Sequence, residues 1–188
     1  MVVKLALIGN AGSGKDTFAS KITSKYKLKS IALADPIHEI AKDLFQMKNK
    51  DRELLINIGE TLRKIDKNVF INYALRKSEK YEATLITDVR TMREFKALIK
   101  EGFKFISIQC EPEERYRRLQ LRDKIELKEE DIRKMESNKT EKEVRDIIKY
   151  MDEKDIEYEI VYNGIGSKEK DIKLQVDRVA KKFKLEEK

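Results

Sequence analysis

Glycines 9, 12 and 14 and Lys15 stand in the stretch Gly9-Asn10-Ala11-Gly12-Ser13-Gly14-Lys15-Asp16-Thr17, at the spacing G-x-x-x-x-G-K. Glycines so placed let successive backbone N–H groups curl into a concave nest that attracts anions. A helix starting at Lys15 would aim its positive end at the same point. The lysine then adds a mobile full charge for outer phosphates, so the chemistry is capture of a polyphosphate by residues 10–17. The dinucleotide pattern G-x-G-x-x-G does not fit this spacing. A glycine-rich turn without a ligand is the plain alternative, and the flanks argue against it. Val2, Val3, Leu5, Ala6, Leu7 and Ile8 read as a buried parallel strand, and Phe18, Ala19, Ile22 and Tyr26 recur at helical spacing. Asp16 stands where Ser or Thr normally offers a hydroxyl to Mg²⁺. A carboxylate is also a hard oxygen ligand, so Asp16 and Thr17 are candidate Mg²⁺ ligands. The alternative for Asp16 is an acid favoured by the helix dipole.

Further polar groups fall at the ends of other apolar runs. Asp35, in Ala34-Asp35-Pro36, could accept or orient a proton from a hydroxyl, or cap the helix that starts near Pro36. Asp88 suits a carboxylate near Mg²⁺, or else a helix cap or a partner for Arg90. Arg90 can grip a phosphate with two parallel hydrogen bonds, which a lysine cannot. Arg52, Gly59 and Arg63 fall on one helical strip, where a mid-helix glycine permits close approach of a ligand or of a second helix. Arg115, Arg118 and Arg122 form a similar strip. They read as clamps for charge on a transferring phosphoryl group, or as a solvated face paired with Glu113, Glu114 and Asp123. His38 is the sole histidine and is given no role, and no catalytic triad or zinc ligand set is present.

These residues need a scaffold, and the chain supplies one by alternation. Strands are expected near residues 30–33, 83–87, 103–108 and 158–162, after the first near residues 2–8. Helices are expected between them. Two helical segments, from Asp51 to about Asp66 and from Val69 to about Lys80, have no strand between them. Residues 36–80 therefore read as a helical insertion suited to binding a substrate. Residues 122–140 are charged and poorly periodic, as a mobile lid would be. Five strands alternating with helices imply an α/β domain with a parallel sheet covered on both faces. Ligands in such folds sit beyond the carboxyl ends of the strands.

Composition sets the outer bounds. A chain of 188 residues is expected to form one domain with a three-layer core. Its formal charge of +7 suits polyanions. The single Cys110 excludes an internal disulfide and a cysteine metal cluster. No apolar run of membrane length and no signal pattern appears, so a cytoplasmic protein is expected.

Four stretches, taken in order, resemble the P-loop nucleoside monophosphate kinases. The likeness is to their deoxynucleoside monophosphate kinase family in particular. The stretches are Gly9 to Thr17 with its Gly-Lys-Asp-Thr ending, Leu33-Ala34-Asp35-Pro36-Ile37, Asp51 to Arg63, and Ile86-Thr87-Asp88-Val89-Arg90. The Asp after the loop lysine is usual in that family. The chain differs at Phe70, where the family often has Trp, and at Met92-Arg93-Glu94. Arg118-Leu119-x-x-Arg122 and the C-terminal strand-Asn-Gly-helix also resemble dephospho-coenzyme A kinases. The resemblance implies a three-layer P-loop NTPase fold and an ATP-dependent, Mg²⁺-dependent kinase. Its acceptor would be a nucleoside monophosphate, held by Arg52, Arg63 and Arg90 with Asp35 and Asp88 beside it. Lys15, Arg90, Arg118 and Arg122 would serve catalysis. A role for Asp35 grows if the acceptor is a hydroxyl, as in a dephospho-coenzyme A kinase. The expected partners are small nucleotides rather than nucleic acid, with no membrane, and the chain a monomer or homodimer. A P-loop switch acting on nucleic acid and a polynucleotide-end kinase are the alternatives.

Overall fold

Leu5, Ala6, Leu7 and Ile8 have no exposed surface, because the strand that carries them is central and covered on both faces. A computed structural model describes residues 2–49 and 51–188, and the side chain of Arg52 lies outside the described residues. The strands are β1 (Val3–Ile8), β2 (Lys29–Ala32), β3 (Ala83–Val89), β4 (Lys104–Gln109) and β5 (Tyr158–Tyr162). They form one sheet in the order β2-β3-β1-β4-β5, every pair parallel. The order runs out to one side through β2 and β3, then to the other through β4 and β5. The crevice over β1 is thus where a ligand belongs.

On one face lie α1 (Lys15–Lys25) and α9 (Glu169–Lys182), packed through Phe18, Ile22, Val176 and Val179 against Leu5, Leu7 and Ile106. The other face is covered by α2 (Asp35–Asp43), α3 (Arg52–Ile65), α4 (Val69–Ser78), α5 (Met92–Lys100) and α8 (Lys139–Glu153). Phe95 of α5 meets Phe105 of β4 there with ring centroids 4.7 Å apart. This three-layer α/β arrangement is that of a P-loop NTPase. The apolar runs at β1, β3 and β4 specify it, since both faces of a central parallel strand must be apolar.

Strands β2 and β4 each sit one residue away from the expected range, and two further stretches differ in detail. The third strand continues past Thr87 to Val89, with a register shift against β1 between Ala6 and Ile8. Asp88 takes φ = 68° there, in the left-handed region that Asp tolerates better than branched residues. The stretch 122–140 is also more regular than expected. After α6 (Pro112–Asp123), α7 spans Glu129–Ser137. None of its residues is fully buried, and Ile132 and Met135 alone give too short an apolar period to read. Acids in its first turn and the i,i+4 pairs Glu129–Arg133 and Glu130–Lys134 favour the helix instead. No helix among the described residues is long and apolar enough to cross a membrane.

Candidate active site

The turn from β1 into α1 is built by glycines that no other residue could replace without strain. Gly12 and Gly14 have φ of +78° and +93°. A methyl at Gly12 would lie 2.6 Å from the Arg115 carbonyl oxygen, and one at Gly14 only 2.0 Å from Asn163 Nδ2. Asn163, just after β5, donates to the Ser13 carbonyl at 2.9 Å and so buttresses the loop from the edge strand. Ser13 itself is 1% exposed.

Lys15, the first residue of α1, is 6% exposed and donates to the carbonyls of Gly9 (2.8 Å) and Asn10 (3.1 Å). Its ammonium is 3.7 Å from Asp88 Oδ1. Burial lowers its pKa to about 8, helped by the Arg90 charge and opposed by Asp88, Asp16 and Glu141. Asp88 also accepts from Arg90 Nε at 2.7 Å, so it is the partner for Arg90 that the sequence offered as one of its roles. Burial works against the Arg90 charge, but Asp88 and Glu141 outweigh it and raise its pKa.

A cavity of about 1230 Å³ opens over the loop. Pockets for single small ligands run to about 300–1,000 Å³, so this cleft lies at the large end of that scale. Ala11, Gly12, Gly14, Lys15, Asp16 and Thr17 form its floor, with Asp88 and Arg90 beside them. His38, Leu55 and Ile56 face it from the helical insertion. Arg118 and Arg122 face it from α6, and Glu126, Leu127, Asp131, Lys134 and Met135 from the segment through α7. Arg118 is fixed by Glu114 at 2.9 Å and reaches Asn163 Oδ1 at 3.4 Å. Hydrogen bonds from Arg117 and Arg118 hold Glu114 down to about 2. Arg122 donates to Asp123 at 2.9 Å.

Other sequence candidates lie outside this cavity. Asn10 turns its amide to Glu141, at 2.7 Å from Oε2. Asp35 accepts the Ala32 N–H at 3.1 Å and lies 3.9 Å from Lys77 Nζ. It does not cap α2, whose cap position is Ala34. Arg63 stacks over the Phe70 ring at 4.8 Å and lines a second cavity, of about 230 Å³, with Lys67, Arg93, Glu94, Lys139 and Glu143. Gly59 is closely approached by Ile37 Cδ1 and by Arg63 Nη1. It thus serves the packing of α2 on α3. Arg115 is buried and donates to the Ala11 carbonyl, Glu141 and Glu136, so it supports the loop from beneath.

The sequence reading missed Glu141. It is 5% exposed and accepts the Ala11 N–H at 3.0 Å. A signal was available: Glu141, Val144, Ile147 and Met151 recur at three- and four-residue spacing, which puts an acid on the buried stripe of its helix. Asn163 was visible only as a turn residue. Leu127 and Met135, which line the cavity from the segment through α7, stood in too charged a stretch for a period to show.

Comparisons with known proteins bear on the family and the fold. A family model described as an AAA domain matches residues 5–149. The crystal structure of TT1252 from Thermus thermophilus superposes with a TM-score of 0.60 at 16% identity, over 96% of this chain and 97% of that one. At that identity the likeness is one of fold. No curated protein matches the chain in sequence.

Proposed function

The chain belongs to this AAA-domain family, a P-loop kinase-like family whose members bind nucleotides, and on that premise we propose that it is a nucleoside monophosphate kinase. The reaction is transfer of the γ-phosphoryl group of ATP to the phosphate of a nucleoside monophosphate, with a deoxynucleotide favoured by the sequence resemblance. One observation carries the proposal. A single cavity brings the phosphate loop with Lys15, the guanidinium of Arg90, and Arg118 and Arg122 around one space.

In this reading the loop N–H groups and Lys15 hold the donor phosphates. Arg90, positioned by Asp88, holds the acceptor phosphate. Arg118, anchored by Glu114, stands opposite to receive charge on the moving phosphoryl group. The acceptor is already an anion, so the protein has no proton to remove, and catalysis is positioning and charge neutralisation. The placement of Asp35 supports a phosphate acceptor over a hydroxyl, because its carboxylate is engaged with the Ala32 N–H and does not line the cavity.

Among the described residues no three acidic, His or Cys groups gather to hold a metal by themselves. Mg²⁺ keeps several waters and takes substrate phosphates as ligands, needing only one or two protein groups. Asp16, Thr17 and Asp88 border the cavity and fit that demand. A Mg²⁺ held by these residues would supply neutralisation of phosphate charge.

The test is ADP release from ATP and Mg²⁺ against a panel of ribo- and deoxynucleoside monophosphates, with dephospho-coenzyme A and oligonucleotides alongside. ADP release that depends on one class of monophosphate is expected. Turnover supported only by dephospho-coenzyme A or by oligonucleotide ends would replace this reading. Binding to DNA or RNA with a steep salt dependence, without turnover, would favour the switch.

A further inference from the structure

Glu141, in the first turn of α8, is a buried carboxylate with every oxygen engaged. Oε1 accepts the Ala11 N–H at 3.0 Å and lies 3.5 Å from Arg90 Nη1. Oε2 accepts Asn10 Nδ2 at 2.7 Å and Arg115 Nη1 at 3.1 Å. Two donors thus come from the phosphate loop, one from the arginine beside Asp88, and one from α6. Arg115 continues the chain to Glu136 of α7. The alternation runs Lys15, Asp88, Arg90, Glu141, Arg115, Glu136, with a cation beside each anion from the loop to the far wall.

A buried carboxylate is costly to desolvate, and an apolar residue at 141 would simply extend the stripe of Val144, Ile147 and Met151, each 0% exposed. Packing alone therefore does not call for an acid. What the acid adds is a fixed anion that both the loop and Arg90 must address. By taking the Ala11 N–H and the Asn10 amide, it also leaves the N–H groups further along the loop to face the cavity.

We propose that Glu141 is a positioning residue that holds the phosphate loop and Arg90 in a set relation to each other, so that one carboxylate aligns the donor nest with the acceptor guanidinium. The loop half of this claim needs only nucleotide binding. The Arg90 half rests on the kinase reading above.

The experiment uses the full chain and four proteins: wild type, Glu141→Gln, Glu141→Asp and Val144→Ala. ADP affinity with Mg²⁺ is measured by calorimetry, the melting temperature by thermal unfolding, and kcat and KM by ADP release. Glu141→Gln should weaken ADP by about tenfold and lower kcat by about a hundredfold, as loss of alignment does. Glu141→Asp, which keeps the charge, should regain ADP affinity to within about threefold of wild type. Val144→Ala opens a cavity on the same helix face and should lower the melting temperature without weakening ADP. Glu141→Gln with wild-type ADP affinity would overturn the proposal. So would Val144→Ala weakening ADP as much as Glu141→Gln, since Glu141 would then act only through the packing of α8. If Glu141→Gln does not fold, Asn10→Ala decides: ADP weakened about threefold or more supports the proposal, and unchanged affinity overturns it. If wild type binds ADP but phosphorylates no monophosphate, the kinase reading fails, while the ADP titrations still judge the loop half.

Discussion

The two cation-lined cavities hold their charges to different degrees. Over the phosphate loop each cation is already matched: Lys15 and Arg90 with Asp88, Arg118 with Glu114, Arg122 with Asp123. In the smaller cavity Lys139 lies 3.9 Å from Glu143 and Arg63 rests on the face of Phe70, while Lys67 and Arg93 have no carboxylate partner among the described residues. A matched guanidinium is held in one place before a ligand arrives, which suits alignment of reacting groups. An exposed cation without a carboxylate partner, such as Lys67 or Arg93, is not held by an ion pair and attracts anions from a distance, with an effect that salt screens. The contrast favours placing chemistry, in the proposed reading, at the first cavity and attraction of anions at the second.

The largest expected effect tests the matched set at its centre. Lys15→Ala should reduce phosphoryl transfer by about a thousandfold, the scale of losing a principal charge-stabilising donor. The melting temperature should stay within a few degrees, because the lowered pKa marks a charge whose burial the fold tolerates rather than exploits. Retained turnover would remove the loop from the mechanism. Next comes Arg90→Lys, which loses the planar fork while keeping the charge. The acceptor KM should rise about thirtyfold and the ATP KM by no more than about threefold. A defect confined to ATP would move Arg90 to the donor side.

A smaller effect follows from pH. In the folded chain Lys15 titrates near 8, against an ordinary value of 10.5. Phosphates bind its charged form, so ADP affinity should fall above pH 8, by at most about tenfold per pH unit, with protons taken up on binding. Lys15→Ala should flatten that limb. For stability the sign is the reverse. The unfolded chain binds more protons between about 8 and 10.5, so the contribution of Lys15 is unfavourable in full below 8 and fades as pH rises through that window. The smallest effect sharpens the contrast itself. Arg63→Ala should change the acceptor KM by less than about threefold at 0.15 M salt and more at low salt. If it equals Arg90→Lys instead, the two cavities work as one berth.

What could be read from the sequence was local. The phosphate loop is a matter of glycine spacing, and β1, β3 and β4 are apolar runs, so each announces itself within about ten residues. The matching of charges is a matter of distant pairs. Arg90 and Arg115 meet Glu141 across 51 and 26 positions, and Asn163 meets the loop across 150, which no single-sequence period records. Helix α7 escaped for a different reason: its inward strip has only Ile132 and Met135 as apolar members, both half-buried, and ion pairs supply much of the rest. Arg63 shows the limit of spacing. Its position on the α3 strip was right, but whether it reaches the main cavity depends on Phe70, a ring from the next helix.

The buttress that Asn163 gives to Ser13 has a practical corollary for anyone trimming the polypeptide. The family match ends at residue 149, yet the amide that steadies the turn, and the helix whose Val176 and Val179 roof Phe18 and Ile22, both come later. A fragment cut at the end of the match would carry every residue of the glycine motif and still lack its brace, so the smallest active piece should extend through α9.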